Sequence, residues 1–203
     1  MLSQDDRPAL GLRERKKAKT RAAIQRHALR LFRENGYQRT TVEQIAAAAE
    51  VSPSTFFRYF PTKEDVVLQD DLDILTMDSL NAQPRDLNPI AAMRGAAASA
   101  YAAMTEKDLE RLAETTRLTF SVPEVRARAV DELTRTIEQI GGAMAVRAGR
   151  EPDDFAARVI AGALIGVIMA ATIPWAADND LDVGEMFARI DAGLAQLENG
   201  LSL

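Results

Sequence analysis

The chain is predicted to be all-α, on three observations. Hydrophobic positions along its 203 residues recur at steps of three and four over segments long enough for helices. The breaks between those segments are short and carry Pro, Gly or Asp, residues that stop helices. Runs of β-branched and aromatic residues bounded by turns, the mark of strands, are nearly absent. About nine helices fit the pattern. With 47% hydrophobic residues the chain can bury a sizeable core, and its length allows one large or two small domains.

Residues Met1 to Leu12 carry charges, Pro8 and Gly11 but no apolar run, so they are not a signal peptide and read as a disordered arm. Arg13, Arg15, Lys16, Lys17, Lys19 and Arg21 follow. Then come Ile24, Ala28, Leu31 and Phe32 at i, i+4, i+7 and i+8, the stripe of a first helix. Its basic start suits a phosphate backbone, or is simply a solvated helix end. His27, the single histidine, sits in this helix with no cysteine or carboxylate cluster near it in sequence. A scaffold role explains it better than metal binding or a Ser-His-Asp arrangement.

The next stretch, Leu31 to Lys63, is the most informative. Thr41 is a good N-cap, followed by Val42, Ile45, Ala46 and Ala49 on one face of a short helix. Glu50-Val51-Ser52 breaks the pattern. Ser52 can cap a second helix, Pro53 fits its first position where no N–H is needed, and Thr55 to Phe60 continue it. Two short helices across a three-residue turn make a helix-turn-helix. Ser54, Thr55, Arg58 and Tyr59 give the second helix a polar face able to reach base edges and phosphates, while Phe56 and Phe60 anchor it.

In these residues the chain resembles the TetR family of one-component bacterial transcription regulators. The matching pattern is Phe32-Arg33-Glu34-Asn35-Gly36-Tyr37 at the end of the first helix, Thr40-Thr41-Val42 with Ile45-Ala46, Val51-Ser52, the Thr55 to Phe60 block, and Lys63-Glu64 opening a fourth helix. It covers roughly residues 13 to 70. The resemblance implies a three-helix DNA-binding domain over 13–62 and a larger effector-binding and dimerisation domain over 63–203. Double-stranded DNA carrying an inverted repeat is the implied target, read by a homodimer whose two recognition helices enter major grooves roughly 34–36 Å apart. Ser54, Thr55 and Arg58 are the candidates for base readout, with Arg58 able to take guanine in bidentate fashion. Thr40, Thr41, Tyr59 and Lys63 are the expected phosphate contacts, and Ser52 and Pro53 complete the DNA-facing set. Lys63→Ala is expected to weaken all sequences alike. Two positions depart from the family. Glu50 stands where a Gly is usual, so a residue with a Cβ is expected at positive φ, a strain of about 1 kcal/mol. Phe57 replaces a common Tyr, which removes one hydroxyl from the phosphate set.

Beyond the motif, Lys63 to about Asn81 reads as a long connecting helix with Val66, Val67, Leu68, Leu72, Leu75 and Leu80 on one broad face. A loop runs from Gln83-Pro84 to Asn88-Pro89. Helices over Ile90 to Ala103 and Asp108 to Phe120 follow, and Val122-Pro123 opens one whose Val130, Leu133, Ile137, Ile140 and Met144 form a core stripe. Between Arg158 and Asp178 lie nineteen residues without a charge, long enough to span a membrane and carrying Gly162 and Gly166 as a GxxxG pair. A helix buried on all sides of a soluble bundle has the same composition, and no membrane partner is expected. The last helix starts near Asp182 and spaces Val183, Phe187, Ile190, Leu194, Leu197 and Leu201 as a seam for another helix. Packing within the chain fits that seam, and so does the family's dimer, in which the last two helices pair with their copies.

The net charge of −5 is a difference between unequal parts. Residues 1–63 hold 13 Lys/Arg against 6 Asp/Glu, and residues 64–203 hold 12 against 24. A basic head and an acidic body suit DNA binding with little adhesion elsewhere. No cysteine is present, so cysteine-based disulfides and zinc sites are excluded, which favours a cytoplasmic location. No phosphate loop, metal-ligand cluster or nucleophile elbow is found, so neither an enzyme nor a cofactor is expected.

The resemblance makes the C-terminal half a pocket for a small, mainly apolar effector whose binding releases the DNA. Leu72, Leu75, Met93, Tyr101, Met104, Phe120, Met144, Met169, Ile173 and Trp175 are its candidate walls, or plain core. This half is similar to the mycofactocin-associated regulators, through Pro123-Glu124-Val125-Arg126 and the Trp175 to Phe187 region, and that group is linked to acyl-CoA-like ligands. Arg111 or Arg117 would then meet an anionic group. The leading expectation is a ligand-responsive repressor. A DNA-binding regulator whose C-terminal half only dimerises or binds a protein partner is the alternative.

Overall fold

A computed structural model describes residues 11–68, 78–176 and 182–200. All regular structure among them is helical, in two compact units, Met1–Val67 and Leu68–Leu203. Of the expected arm only Gly11 and Leu12 fall within the described residues, and Leu12 already begins the first helix.

The first unit holds α1 (Leu12–Asn35), α2 (Val42–Ala48) and α3 (Pro53–Tyr59), with α4 (Asp65–Leu68) beginning at its end. Each boundary has a local cause. Gly36, at φ 82°, ends α1 and donates its N–H to the Phe32 carbonyl. Thr41 and Gln44 cap each other's backbone N–H groups at the start of α2, and Ser52 accepts from Thr55 N–H ahead of Pro53 at the start of α3. Ile24, Ala28 and Phe32 of α1, Ile45 of α2 and Phe56 of α3 are all buried, and α2 packs on both α1 and α3.

Glu50 sits in the turn between α2 and α3 at φ 55°, the left-handed conformation expected there. It is exposed, and its Cβ makes that conformation a strained one. Glu50→Gly is therefore expected to raise the stability of this unit by at most about 0.5 kcal/mol, after the entropy that a glycine loses on folding. A lower thermal midpoint would show that the carboxylate has a compensating role.

The second unit is a bundle of α5 (Pro89–Ala103), α6 (Glu106–Ser121), α7 (Pro123–Arg147), α8 (Phe155–Ala176) and α9 (Val183–Glu198). A short helical stretch at 78–82 precedes them. α6 starts two residues before the sequence expectation, because Thr105 is its N-cap and Asp108 its N3 partner rather than its first residue. α8 packs on both α7 and α9, and α9 also packs on α5. Two glycines allow this closeness. A Cβ on Gly141 would lie 3.2 Å from Arg158 Cα, and one on Gly193 would lie 2.6 Å from Val167 Cγ1. Gly141 is thus a packing residue. Polar ties lock the frame: Arg94 of α5 donates to Asp191 (2.7 Å) and Glu198 (2.8 Å) of α9, and holds the Asp191 carboxyl below its usual range. Arg147 donates to the carbonyls of Leu80, Gln83 and Pro84.

The structure corrects one expectation here and decides between two readings of another. The uncharged helix α8 is not buried on all sides. It turns Ala157, Ala161, Leu164, Thr172 and Trp175 inward, while Phe155 (75% exposed), Val159 (53%), Ala163, Gly166, Ala170 and Ile173 (43%) form an open apolar stripe. A Cβ on Gly162 or Gly166 would meet nothing within 4 Å, so the GxxxG pair serves no close contact inside the chain. The helix remains long and apolar enough to cross a membrane by length and composition alone. Conversely, the seam of the last helix is occupied from within. Val183, Ile190 and Leu194 are buried, and Phe187 and Leu197 pack against the same core. Leu201 lies outside the described residues.

Candidate functional site

The outer face of α3 is built on Phe56, which is fully buried and stacks with Phe60 at a centroid distance of 5.9 Å. That anchor leaves Ser52, Pro53, Ser54 and Arg58 exposed and Thr55 and Tyr59 half-buried. Ser52 Oγ lies 2.8 Å from Ser54 Oγ and 2.9 Å from Thr55 Oγ1, so three hydroxyls form one prearranged cluster at the helix start. The Arg58 guanidinium lies 5.5 Å from the Tyr59 ring centroid. Thr41 is exposed but already engaged in capping α2. Phe57, 50% exposed and edge-on to Phe56, brings an apolar ring to the same face.

Two expected phosphate contacts are placed differently. Thr40 is buried, and its hydroxyl donates to the carbonyls of Leu31 (3.2 Å) and Gly36 (2.9 Å) at the end of α1. Lys63 Nζ donates to the carbonyls of Tyr37 (3.1 Å) and Thr40 (3.2 Å) and lies 4.0 Å from the Tyr37 ring centroid. Orphan carbonyls at a helix end attract a cation as readily as a phosphate does. Both side chains therefore hold the loop that positions α2. Tyr37 belongs to the same knot: its hydroxyl donates to Glu64 (2.7 Å). Burial raises the Glu64 carboxyl, but the hydrogen bonds to its charged form outweigh this and leave it lowered.

Arg58 is exposed on the outer face of α3, the position that base readout would require. Arg58→Ala is expected to relax preference at one base by about 1–3 kcal/mol while leaving binding to random duplex nearly unchanged. Equal losses on specific and random DNA, measured by titration at fixed salt, would remove it from base readout.

In the second unit a cleft of about 630 Å³ lies between α6, α7 and α8. Arg117, Phe120 and Ser121 come from α6; Arg126, Ala129, Val130 and Leu133 from α7; Met169, Ile173 and Ala176 from α8. Four expected wall residues meet here: Arg117, Phe120, Met169 and Ile173. The others lie elsewhere. Met93 and Met144 are core, Tyr101 stacks on Phe187 at 4.8 Å, and Trp175 is buried with its indole N–H on the Asp182 carbonyl at 3.0 Å. Met104 is the C-cap of α5, and Leu72 and Leu75 lie outside the described residues. Arg111 pairs with Asp108 at 3.1 Å. The walls missed by sequence, such as Arg126 and Leu133, face the cleft only because the chain turns at Val122-Pro123, and a helical period read along one segment does not cross that corner.

Among the described residues, no group of three or more His, Cys, Asp or Glu side chains could hold a metal ion. Residues 24–69 match the family described as bacterial regulatory proteins, tetR family. The chain is also 33% identical to the HTH-type transcriptional regulator TcmR of Streptomyces glaucescens, over 92% of this chain and 86% of that one. The chain belongs to the TetR family. It is a DNA-binding transcriptional regulator and not an enzyme. Residues 87–202 match the MftR C-terminal domain, which agrees with the mycofactocin-type resemblance. A Mycobacterium tuberculosis protein provisionally assigned as mycofactocin biosynthesis transcriptional regulator MftR is 27% identical over 90% of this chain and 95% of that one. Thermus thermophilus FadR, a TetR family transcriptional repressor solved with lauroyl-CoA, is 26% identical with a TM-score of 0.57, covering 90% of this chain and 95% of that one. A TetR-family regulator from Syntrophomonas wolfei shares the fold at a TM-score of 0.65 and 19% identity, over 92% and 98% of the two chains.

Proposed function

We propose that this TetR-family regulator is a cytoplasmic homodimeric repressor that binds an inverted-repeat operator and is released by a small, mainly apolar effector. The cleft of about 630 Å³ carries the reading, because its size lies in the range of small-molecule sites and most of its walls are apolar. A domain that only dimerised would have no use for it. The lauroyl-CoA held by Thermus thermophilus FadR is a precedent for an acyl chain in such a fold. The last two helices form the dimer, through the open stripe of α8 rather than the occupied seam of α9. Effector binding then favours a head spacing that no longer fits two successive grooves, a coupling free energy between distinct sites.

The test is selection of bound duplexes from a random pool with the full-length protein, followed by release of the enriched duplex with a panel of apolar compounds. An inverted repeat with half-sites one helical turn apart is expected. An enriched direct or single half-site would exclude the symmetric dimer. Failure of every apolar compound to release the duplex would favour a C-terminal half that only dimerises or binds a protein partner.

A further inference from the structure

We infer that Arg117 and Arg126 form an anion-binding pair at this cleft, so that its ligand is an amphiphile with one negatively charged group and an apolar body. The inference rests on the cleft being the effector site, and it starts from where the arginines of the acidic unit find partners. Arg94 is held by Asp191 and Glu198, Arg135 by Glu132, Arg150 by Asp154 and Arg189 by Glu185. Residues 64–203 hold twice as many carboxylates as cations, so an arginine there meets a carboxylate easily. Arg85, Arg117 and Arg126 are exceptions, and the last two share a cleft. Among the described residues none of these three guanidinium groups has a hydrogen-bond or ion-pair partner.

The setting favours an anion over a solvated pair of side chains. The two arginines stand beside Phe120, Leu133, Met169 and Ile173, apolar walls that lower the local dielectric and strengthen a charge-assisted hydrogen bond. Ser121, the last residue of α6, adds a hydroxyl donor at the same cleft. Guanidinium forks match carboxylate and phosphate geometry, which a neutral head group does not satisfy. Taking the share of liquid volume that one water occupies, the cleft admits roughly 20 non-hydrogen atoms. That suits a carboxylate with a medium-length chain, or the chain and nearest polar atoms of a larger thioester whose phosphates remain outside.

Calorimetric titration of the full-length protein with decanoate, decanoyl-CoA and decanol tests the pair. At least one anion is expected to bind about 10-fold more tightly than decanol, the size of one charged hydrogen bond. Which anion gains distinguishes a free carboxylate from a phosphate-bearing thioester. Arg117→Gln with Arg126→Gln should bring all three ligands to within twofold of one another, because the variant keeps the apolar walls. Decanol binding as tightly as both anions, or an anion preference that survives the double substitution, overturns the inference. Met169→Trp, which fills the cleft, separates this from failure of the cleft itself. If decanol binds as well as the anions and Met169→Trp abolishes all three, the cleft stands and only the anion pair falls. If a correctly folded Met169→Trp binds all three unchanged, or if none binds the natural sequence, the cleft and the pair fall together. Circular dichroism confirms folding of each variant, and Trp175 fluorescence that of the arginine double variant, with Leu133→Trp as the second cleft-filling choice.

Discussion

Val159→Asp is expected to turn the protein into a monomer at micromolar concentration and to weaken operator binding by about 10²–10⁴-fold. Val159 is 53% exposed in the single chain, on the apolar stripe that runs from Phe155 to Ile173 along α8. A carboxylate at that position faces water and costs the isolated chain little. In a symmetric dimer the same residue enters the interface from both copies, so two unpaired carboxylates would be desolvated next to each other. Bivalent binding to two half-sites then disappears, and each head holds DNA only with its own affinity. Sedimentation of the variant against the natural sequence, together with operator titration, reads both effects. A dimer that persists with unchanged operator affinity would place the interface elsewhere and leave the stripe without an occupant.

The second large effect belongs to the recognition helix. Phe56→Ala should destabilise the N-terminal unit by about 3–5 kcal/mol and abolish operator binding at physiological temperature. Phe56 is fully buried, with Phe57 and Phe60 in ring contact, and α3 has only two turns of its own backbone to hold it. Removing the ring leaves a cavity beneath the helix that carries Ser54, Thr55 and Arg58. Phe57→Ala, one residue along but half exposed, is the matched control and should change stability little. The chain has a single tryptophan, Trp175, buried in the other unit, so its fluorescence shows whether the C-terminal half stays folded while circular dichroism follows the loss of the head. Retention of operator affinity within a few-fold in Phe56→Ala would mean that α3 is held by other contacts.

Much of the N-terminal unit was legible because its signals are local. Thr41, Ser52 with Pro53, and Gly36 act over three or four residues, and the structure places the caps and breaks of α1 to α3 at those positions, with Gln44 as the unread partner of Thr41. The strained turn at Glu50 was readable only through the family resemblance, which sets a Gly at the position where this chain has a Cβ. Lys63 and Thr40 were misplaced because a donor near a helix boundary has two competing partners, a phosphate from outside and the free carbonyls of α1 and its following loop. Sequence does not tell which is nearer; the fold brings Lys63 to within 3.1–3.2 Å of two of those carbonyls.

The C-terminal unit divides along the same line. By itself the sequence determined an all-helical chain, the basic head against an acidic body, and the helix-turn-helix with Arg58 outward, because periodicity, capping and charge are properties of adjacent residues. Only the tertiary structure decided which apolar stripe is spent and which is left open. The seam of α9 fitted a partner helix from this chain or from a second copy and is filled by the chain's own core, whereas α8 looked buried and keeps an apolar face uncovered. The cleft is likewise a product of three helices meeting at the Val122-Pro123 corner, where Arg117 and Arg126 come to line one space. The physical reason is that burial depends on what packs against a face, and that partner lies tens of residues away along the chain.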